Sequence, residues 1–234
     1  MVRYDWSKVW QTLPQLIEYV PKTLLVIGLT VLLGTILGFL VSWGTFAPER
    51  TIRRLAESYI FILRCTPPIV LLFLVFYGLP KLLFWWLGIQ SDEWSRTAFA
   101  VIALTLLFAA MISKVFISAY SAVPKGQTEA SLSVGLTQSQ TFRRIILPQA
   151  FRIALPNFST ALLNLMKDAA LAYTIGLIDV LGGANLLISR NFGNHSLEVY
   201  SAAAIIYWVM ALIIALGTQG LEILLIPQRK GALK

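Results

Sequence analysis

Polar and apolar positions sort the chain into five long apolar runs, a leading amphipathic stretch and one long polar interruption. The runs cover residues 22–44, 67–87, 97–119, 156–178 and 199–226, and each matches the roughly 20 residues that a helix needs to cross a bilayer. Hydrocarbon offers no water to backbone N–H and C=O groups, so such runs predict helices. In the leading stretch Trp6, Trp10, Leu13, Ile17 and Val20 recur at helical spacing, while Asp5, Lys8, Gln15 and Glu18 take the other side. This predicts a helix lying in the headgroups, packed on its own protein, or both, with a bend at Pro14. Residues 48–64 hold Arg50, Arg53, Arg54 and Arg64, too much charge for hydrocarbon, so this segment is expected along a membrane face.

The fold class is therefore all-α integral membrane: five transmembrane helices, an N-terminal amphipathic interfacial segment over 1–18, a membrane body over 19–226 with a polar loop at 122–155, and a tail over 227–234. Asp5, Trp6 and Trp10 interrupt the place of a signal peptide's apolar core, so no cleavable leader is expected.

Composition agrees, with 57% apolar side chains, 13% charged ones and a mean hydropathy of +0.74. The net charge of +8 is explained by Lys and Arg in cytoplasmic loops, and no basic run interleaved with aromatics points to nucleic acid. Counted over alternate loops, ten cations (Arg50, Arg53, Arg54, Lys125, Arg143, Arg144, Arg152, Arg229, Lys230, Lys234) oppose six (Arg3, Lys8, Lys22, Lys81, Arg96, Arg190). The first set is predicted cytoplasmic, which places the N-terminus outside and the C-terminus inside. One cysteine, Cys65, excludes an internal disulfide, and with one histidine, His195, no His/Cys metal cluster is expected. No phosphate-binding G-x-x-x-x-G-K-[ST] loop occurs, so the chain is read as no enzyme, with no cofactor and no catalytic residue. His195 is expected in solvent.

The polar loop carries the most information. Pro124 and Gly126 should end the third run, a short helix should cover 128–134, and Gly135 can close it with a left-handed cap. Thr137 and Gln140 form a capping box for a second short helix, which Pro148 should stop. Phe142, Ile145 and Ile146 give that helix an apolar edge that two short helices cannot bury by themselves, beside the basic Arg143 and Arg144. Such a patch marks a partner site.

Glu129, Ala130, Ser131, Gly135, Ile145, Leu147 and Pro148 resemble the E-A-A-x3-G-x9-I-x-L-P motif of ABC importer permeases, with Ser131 in place of the second alanine. Three further stretches resemble the polar amino acid uptake branch of that family. They are Arg64, Thr66 and Pro67, with Cys65 in place of glycine; Val123, Pro124, Lys125, Gly126, Gln127, Glu129 and Ala130; and Lys167, Asp168, Leu171, Ile175 and Gly176, with Ala169 and Ala170 where Thr and Ser are usual. The resemblance covers the chain from about Tyr19 onward.

It implies a bacterial inner-membrane permease whose polar loop is the coupling hairpin for cytoplasmic ABC ATPase subunits. The other implied partners are an external solute-binding protein, a second permease copy or paralogue, and membrane lipid. The implied coupling residues are Glu129, Ala130, Gly135, Phe142, Ile145, Leu147 and Pro148, and the implied mechanism is rocking between inward-open and outward-open states. General resemblance in the C-terminal third points to cystine as a first guess for the solute. A secondary amino acid carrier or an intramembrane enzyme is the alternative. Against the first, no paired repeats or doubly broken helices are visible; against the second, no G-x-S-x-G elbow or carboxylate-rich motif occurs.

Charges inside spans are costly and hence functional by default. Lys167 and Asp168 fall near the middle of the fourth run, where sequence neighbours diverge by about a hundred degrees and do not pair. A gate or helix-packing role is favoured for them over direct substrate readout. Thr66, Lys114, Asn164, Lys167 and Asp168 are the candidates for the substrate path or gate. Arg64 is expected at the cytoplasmic interface. At Lys114 the family branch usually has glutamate, with arginine at the place of Ile117, so Lys114 is either a snorkelling lysine or part of an altered cavity. Gly34, Gly38 and Ser42 form a small-residue stripe for close helix packing, within the subunit or across a dimer.

Overall fold

The computed structural model describes residues 4–91 and 93–225. The expected tail over 227–234, with Arg229, Lys230 and Lys234, lies outside the described residues, as does Arg3. The fold is all-helical, with no strand among the described residues. In chain order the helices are α1 (Trp6–Ile17), α2 (Val20–Thr45), α3 (Arg50–Cys65), α4 (Pro68–Phe73), α5 (Leu79–Leu87), α6 (Arg96–Ser121), α7 (Lys125–Ser133), α8 (Gln138–Thr141), α9 (Leu147–Ala170), α10 (Val180–Arg190) and α11 (Ser196–Leu225). Wide π-turns join α4 to α5 and α8 to α9, and a tight 3₁₀ turn, Leu171–Ile175, ends α9.

Four stretches are long and apolar enough to cross a membrane: Val20–Thr45, Pro68–Leu87, Arg96–Ser121 and Ser196–Leu224. The pair Gln138–Ile175 and Val180–Arg190, bent by 43° at its break, supplies a fifth if it acts as one span.

α6 is the hub, packed by α2, α3, α4 and α9. Lipid gives apolar helices no reason to cluster, so close approach must come from small residues. α2 follows this rule: Thr23, Thr30, Gly34, Gly38 and Ser42 are buried, while Leu24, Leu29, Leu32, Ile36 and Leu40 face outward. A Cβ on Gly34 would lie 2.7 Å from Phe108 Cδ1, and one on Gly38 would lie 2.2 Å from Ile112 Cγ2. The small-residue stripe is thus spent inside the subunit, against α6.

Two expectations are corrected. Pro148 does not stop the second short helix, and the fourth helical stretch does not start at Pro156. The π-turn Phe142–Ile146 bonds the Leu147 N–H back to the Phe142 carbonyl, and this wider turn takes up the proline within an unbroken helical path from Gln138 to Ile175. Gln149 Nε2 donates to the Ile145 carbonyl at 2.8 Å. The expected loop between the last two spans contains a helix of its own, α10. Asp179 starts it, accepting the Gly182 N–H at 2.8 Å and the Tyr207 hydroxyl at 3.3 Å, while Thr23 Oγ1 accepts the Val180 N–H at 3.2 Å. These bonds tie the break to α2 and α11. The signal was an Asp ahead of an apolar run, an N-cap pattern.

At α1 the structure shows which face packs on the protein. Asp5 caps it through the Ser7 N–H and hydroxyl, which hold the Asp5 carboxyl below the ordinary carboxylate range. The helix continues through Pro14. Its inner face is Val9, Thr12 and Leu16, packed toward α10 and α11, whereas Trp6 and Trp10 are each 63% exposed. The sequence pattern picked out the tryptophans and missed the buried stripe beside them, because Val9 and Leu16 border the same apolar side. The Asp5 N–H also donates to Glu198 Oε1 at 3.0 Å, fixing α1 to the start of α11. His195, expected in solvent, sits beside this contact with Nδ1 3.8 Å from Glu198 Oε1 and its backbone at φ +59°.

Candidate functional site

Two places hold the sequence-predicted residues: a helical knob made by the polar loop, and a cavity between α3, α4, α6 and α9.

The knob is rigid by construction. α7 ends in a double closure, with the Gly135 N–H bonded to the Leu132 carbonyl at 3.0 Å and the Leu136 N–H to the Ser131 carbonyl at 3.1 Å. That geometry needs a left-handed residue, and Gly135 adopts φ +88° as its position requires. The capping box is present: Gln140 N–H donates to Thr137 Oγ1 at 3.2 Å, and Thr137 N–H donates to Gln140 Oε1 at 3.0 Å. Ser131, the departure from the family motif, is buried and hydrogen-bonds to the Thr141 hydroxyl at 3.0 Å, clipping α7 to α8.

Glu129, Ala130, Gly135, Leu147 and Pro148 are exposed on this unit. Phe142 and Ile145 are half-buried and Ile146 is buried, because Ala119, Val123, Ala150 and Ala154 cover the predicted apolar edge. Phe142 meets Trp43 edge-on, with ring centroids 6.3 Å apart. Besides Leu147, the knob leaves Leu132 and Val134 open, the last of them 78% exposed. Sequence reasoning passed over both, although two apolar residues just before a helix-closing glycine in a polar segment were a usable signal.

The cavity, of about 200 Å³, is lined by Arg64, Thr66, Phe108, Met111, Leu165 and Asp168 among others. Three elements bring its polar groups together. Pro67 and Pro68 end α3 and start α4, which leaves Thr66 half-buried and Arg64 exposed at the cavity's edge. α9 supplies Asp168, and Thr66 Oγ1 is held by the Ile62 carbonyl at 2.8 Å. The Asp168 carboxylate has no protein hydrogen-bond partner among the described residues and makes no ion pair with Lys167. The cavity is lined by Thr66 and Asp168 together with Arg64, whose side chain is exposed. It does not include Lys114, Asn164 or Lys167: Lys114 and Lys167 are exposed and Asn164 is half-buried. An apolar wall with one cation and one anion can bind a zwitterion or hold a gate. No group of metal-ligand type clusters among the described residues.

The family model described as "Binding-protein-dependent transport system inner membrane component" matches residues 24–222. The L-cystine transport system permease protein TcyL of Bacillus subtilis (strain 168) is 38% identical over 210 residues, covering 90% of this chain and 87% of its own length. The octopine transport system permease protein OccM of Rhizobium radiobacter is 32% identical, covering 97% and 92%. In structure, an amino acid ABC transporter crystallised with histidines matches with a TM-score of 0.83 at 27% identity, over 94% of this chain and 99% of that one. A methionine ABC transporter, MetNI, in an inward-facing form matches with a TM-score of 0.65 at 20% identity, over 93% and 94%, and shares the fold.

Proposed function

The chain belongs to the family of binding-protein-dependent transport system inner membrane components, and from that premise we propose that it is the permease subunit of an ABC importer for a polar amino acid, cystine being the first solute to test. Relatives named for cystine, arginine and octopine support an amino acid as cargo. In this reading ATP is hydrolysed by partner subunits on the cytoplasmic side, an external binding protein delivers the solute, and two permease copies or paralogues pair. The N-terminus lies outside and the C-terminus inside.

One observation carries the reading: the knob and the cavity share a helix. From Gln138 to Ile175 the path is helical without a break, so the distance from the capping box to Asp168 is about 45 Å of nearly stiff rod. A partner that displaces the surface formed by Glu129, Leu132 and Val134 would move Asp168 against Thr66 and Arg64. Closing of the ATPase subunits would thus open one side of the cavity and shut the other, with no covalent chemistry in this chain. A secondary carrier would need no such hairpin, and an intramembrane enzyme would need reacting groups that the cavity does not hold.

The test is purification of the tagged chain from membranes, with identification of what accompanies it, followed by reconstitution in liposomes. A stoichiometric ATPase subunit and ATP-dependent uptake of cystine are expected. Solute uptake by the chain alone, driven by an ion gradient, would overturn the importer reading; ATP-dependent uptake of another amino acid would overturn cystine only.

A further inference from the structure

Three turns of this molecule close a helix in the same way. After α7 the N–H groups of Gly135 and Leu136 bond back over three and five residues. After the 3₁₀ turn the Gly176 N–H donates to the Tyr173 carbonyl at 2.8 Å and the Leu177 N–H to the Ala172 carbonyl at 3.2 Å. After α10 the Phe192 N–H donates to the Ser189 carbonyl at 3.2 Å and the Gly193 N–H to the Ile188 carbonyl at 2.9 Å. Each closure puts its first donor in the left-handed region, at φ +88° for Gly135, +81° for Gly176 and +53° for Phe192. Glycine fills that place without strain, whereas a bulky aromatic residue there is an outlier. Packing returns almost nothing for it, since Phe192 is 95% exposed. Glycine would serve the fold better here, and a strained, unpacked side chain points to a use outside the fold.

The turn that carries the ring is stiff. The Asn194 N–H donates to the Asn191 carbonyl at 2.9 Å, Ser196 Oγ to the Gly193 carbonyl at 2.6 Å and the Val199 N–H to the His195 carbonyl at 3.0 Å. The Tyr200 hydroxyl donates to Asn185 Oδ1 at 3.0 Å and so joins α11 to α10 on either side of the turn. The turn follows the end of the bent pair Gln138–Ile175 and Val180–Arg190, whose other end is the knob.

We propose that Phe192 is a docking point for the solute-binding protein, its ring entering an apolar recess on that protein's surface. This rests on the importer reading and names a contact on the side away from the ATPase subunits. Two observations select the occupant. The chain's family is binding-protein-dependent by its description, and in the importer reading that protein meets the chain at the end opposite the knob, where Phe192 stands. Arg190, Asn191 and Asn194 around the ring are all exposed, a polar setting that suits a soluble partner and disfavours burial of the tip in hydrocarbon. An aromatic ring preset on a stiff turn loses little freedom on docking, and a few buried aromatic anchors carry much of the binding energy at interfaces.

The experiment uses the purified chain with its accompanying subunits in liposomes, and as probe the purified solute-binding protein that supports uptake there. Phe192→Gly should raise the binding-protein concentration for half-maximal uptake at least about tenfold. Uptake at saturating binding protein should be unchanged, and the thermal unfolding temperature no lower than in the unchanged chain, because glycine relieves the strain. Phe192→Trp, which keeps an aromatic ring, should retain most of the affinity. With benzoylphenylalanine in place of Phe192, illumination should cross-link the chain to the binding protein. An unchanged half-maximal concentration in Phe192→Gly, or cross-linking to lipid alone, would overturn the proposal. A lowered unfolding temperature in Phe192→Gly would also overturn it, by making the ring a structural element. Failure of any binding protein to support uptake by the unchanged complex would remove the importer reading and this proposal with it, whereas binding-protein-dependent uptake indifferent to residue 192 would remove the proposal alone.

Discussion

The hydroxyls of Ser131 and Thr141 lie 3.0 Å apart, ten residues separated in sequence, both buried where α7 crosses α8. Serine at this position looks like a harmless exchange for alanine, yet the structure gives it a partner that alanine could not bond. Ser131→Ala should therefore loosen the knob without changing its shape, costing about 1 kcal/mol. Hydrogen exchange of the amides over residues 128–141 is the measurement, and faster exchange is expected. A cycle with Thr141→Val should show a shared term of about 0.5–1.5 kcal/mol; strictly additive effects would mean the contact contributes nothing.

Gly135 separates strain from charge. Its φ of +88° resists any Cβ, but no atom lies within 4 Å of where that Cβ would stand. Asparagine tolerates the left-handed region better than most residues, so Gly135→Asn should cost under about 1 kcal/mol and keep most uptake. Gly135→Asp, nearly the same in size, adds a charge to the surface proposed to meet the ATPase and should insert normally but abolish transport. Uptake and ATP turnover are to be measured on one reconstituted sample. Equal activity in the two variants would show that charge on this surface is irrelevant.

Two glycines of α2 should respond in opposite ways. A Cβ on Gly38 would meet Ile112 Cγ2 at 2.2 Å and the Ala109 carbonyl at 2.9 Å, whereas one on Gly28 meets nothing within 4 Å. Gly38→Ala should force α2 from α6 and cost about 1–3 kcal/mol. Gly28→Ala should be neutral or stabilising by about 0.5–1 kcal/mol. Thermal unfolding in detergent compares them directly, and the reverse order would contradict the α2–α6 packing.

Asp168 lines the cavity with Thr66 and Arg64 and takes no protein partner among the described residues. Asp168→Asn preserves shape and removes charge, so membrane insertion and recovery of the accompanying subunits should be unchanged while uptake falls at least about tenfold. Lys167→Gln, at an exposed position outside the cavity, should have the smaller effect. Uptake assays with complex recovery decide it, and wild-type uptake by Asp168→Asn would make the residue a hydrated bystander.

Much of this architecture was legible in the chain alone. Apolar runs of bilayer length are a one-dimensional signal, because the membrane imposes the same burial along each run whatever its neighbours do. Caps are equally local, which is why Gly135 and the Thr137–Gln140 box stand where their residue types predicted. The helix path through Pro148 was not legible, since the break that proline usually causes is averted by a π-turn held in place by packing against α6. Nor could the pattern choose the inner face of α1, where tryptophans and smaller apolar residues both qualify and only α11 decides between them.

The sequence by itself determined which runs are apolar enough to cross a membrane, what must be capped and which residues the family resemblance assigns to the knob, because each of these depends on neighbours along the chain. The tertiary structure alone decided which charges share a space. Arg64, Thr66 and Asp168 come from α3, the turn after it and α9, and no local rule predicts that these three meet while Lys114, Asn164 and Lys167 stay outside. The physical reason is that a cavity is a property of how helices cross, and close crossing depends on small residues such as Gly34 and Gly38 that let α2 seat on α6, Gly34 against Phe108, which itself lines the cavity.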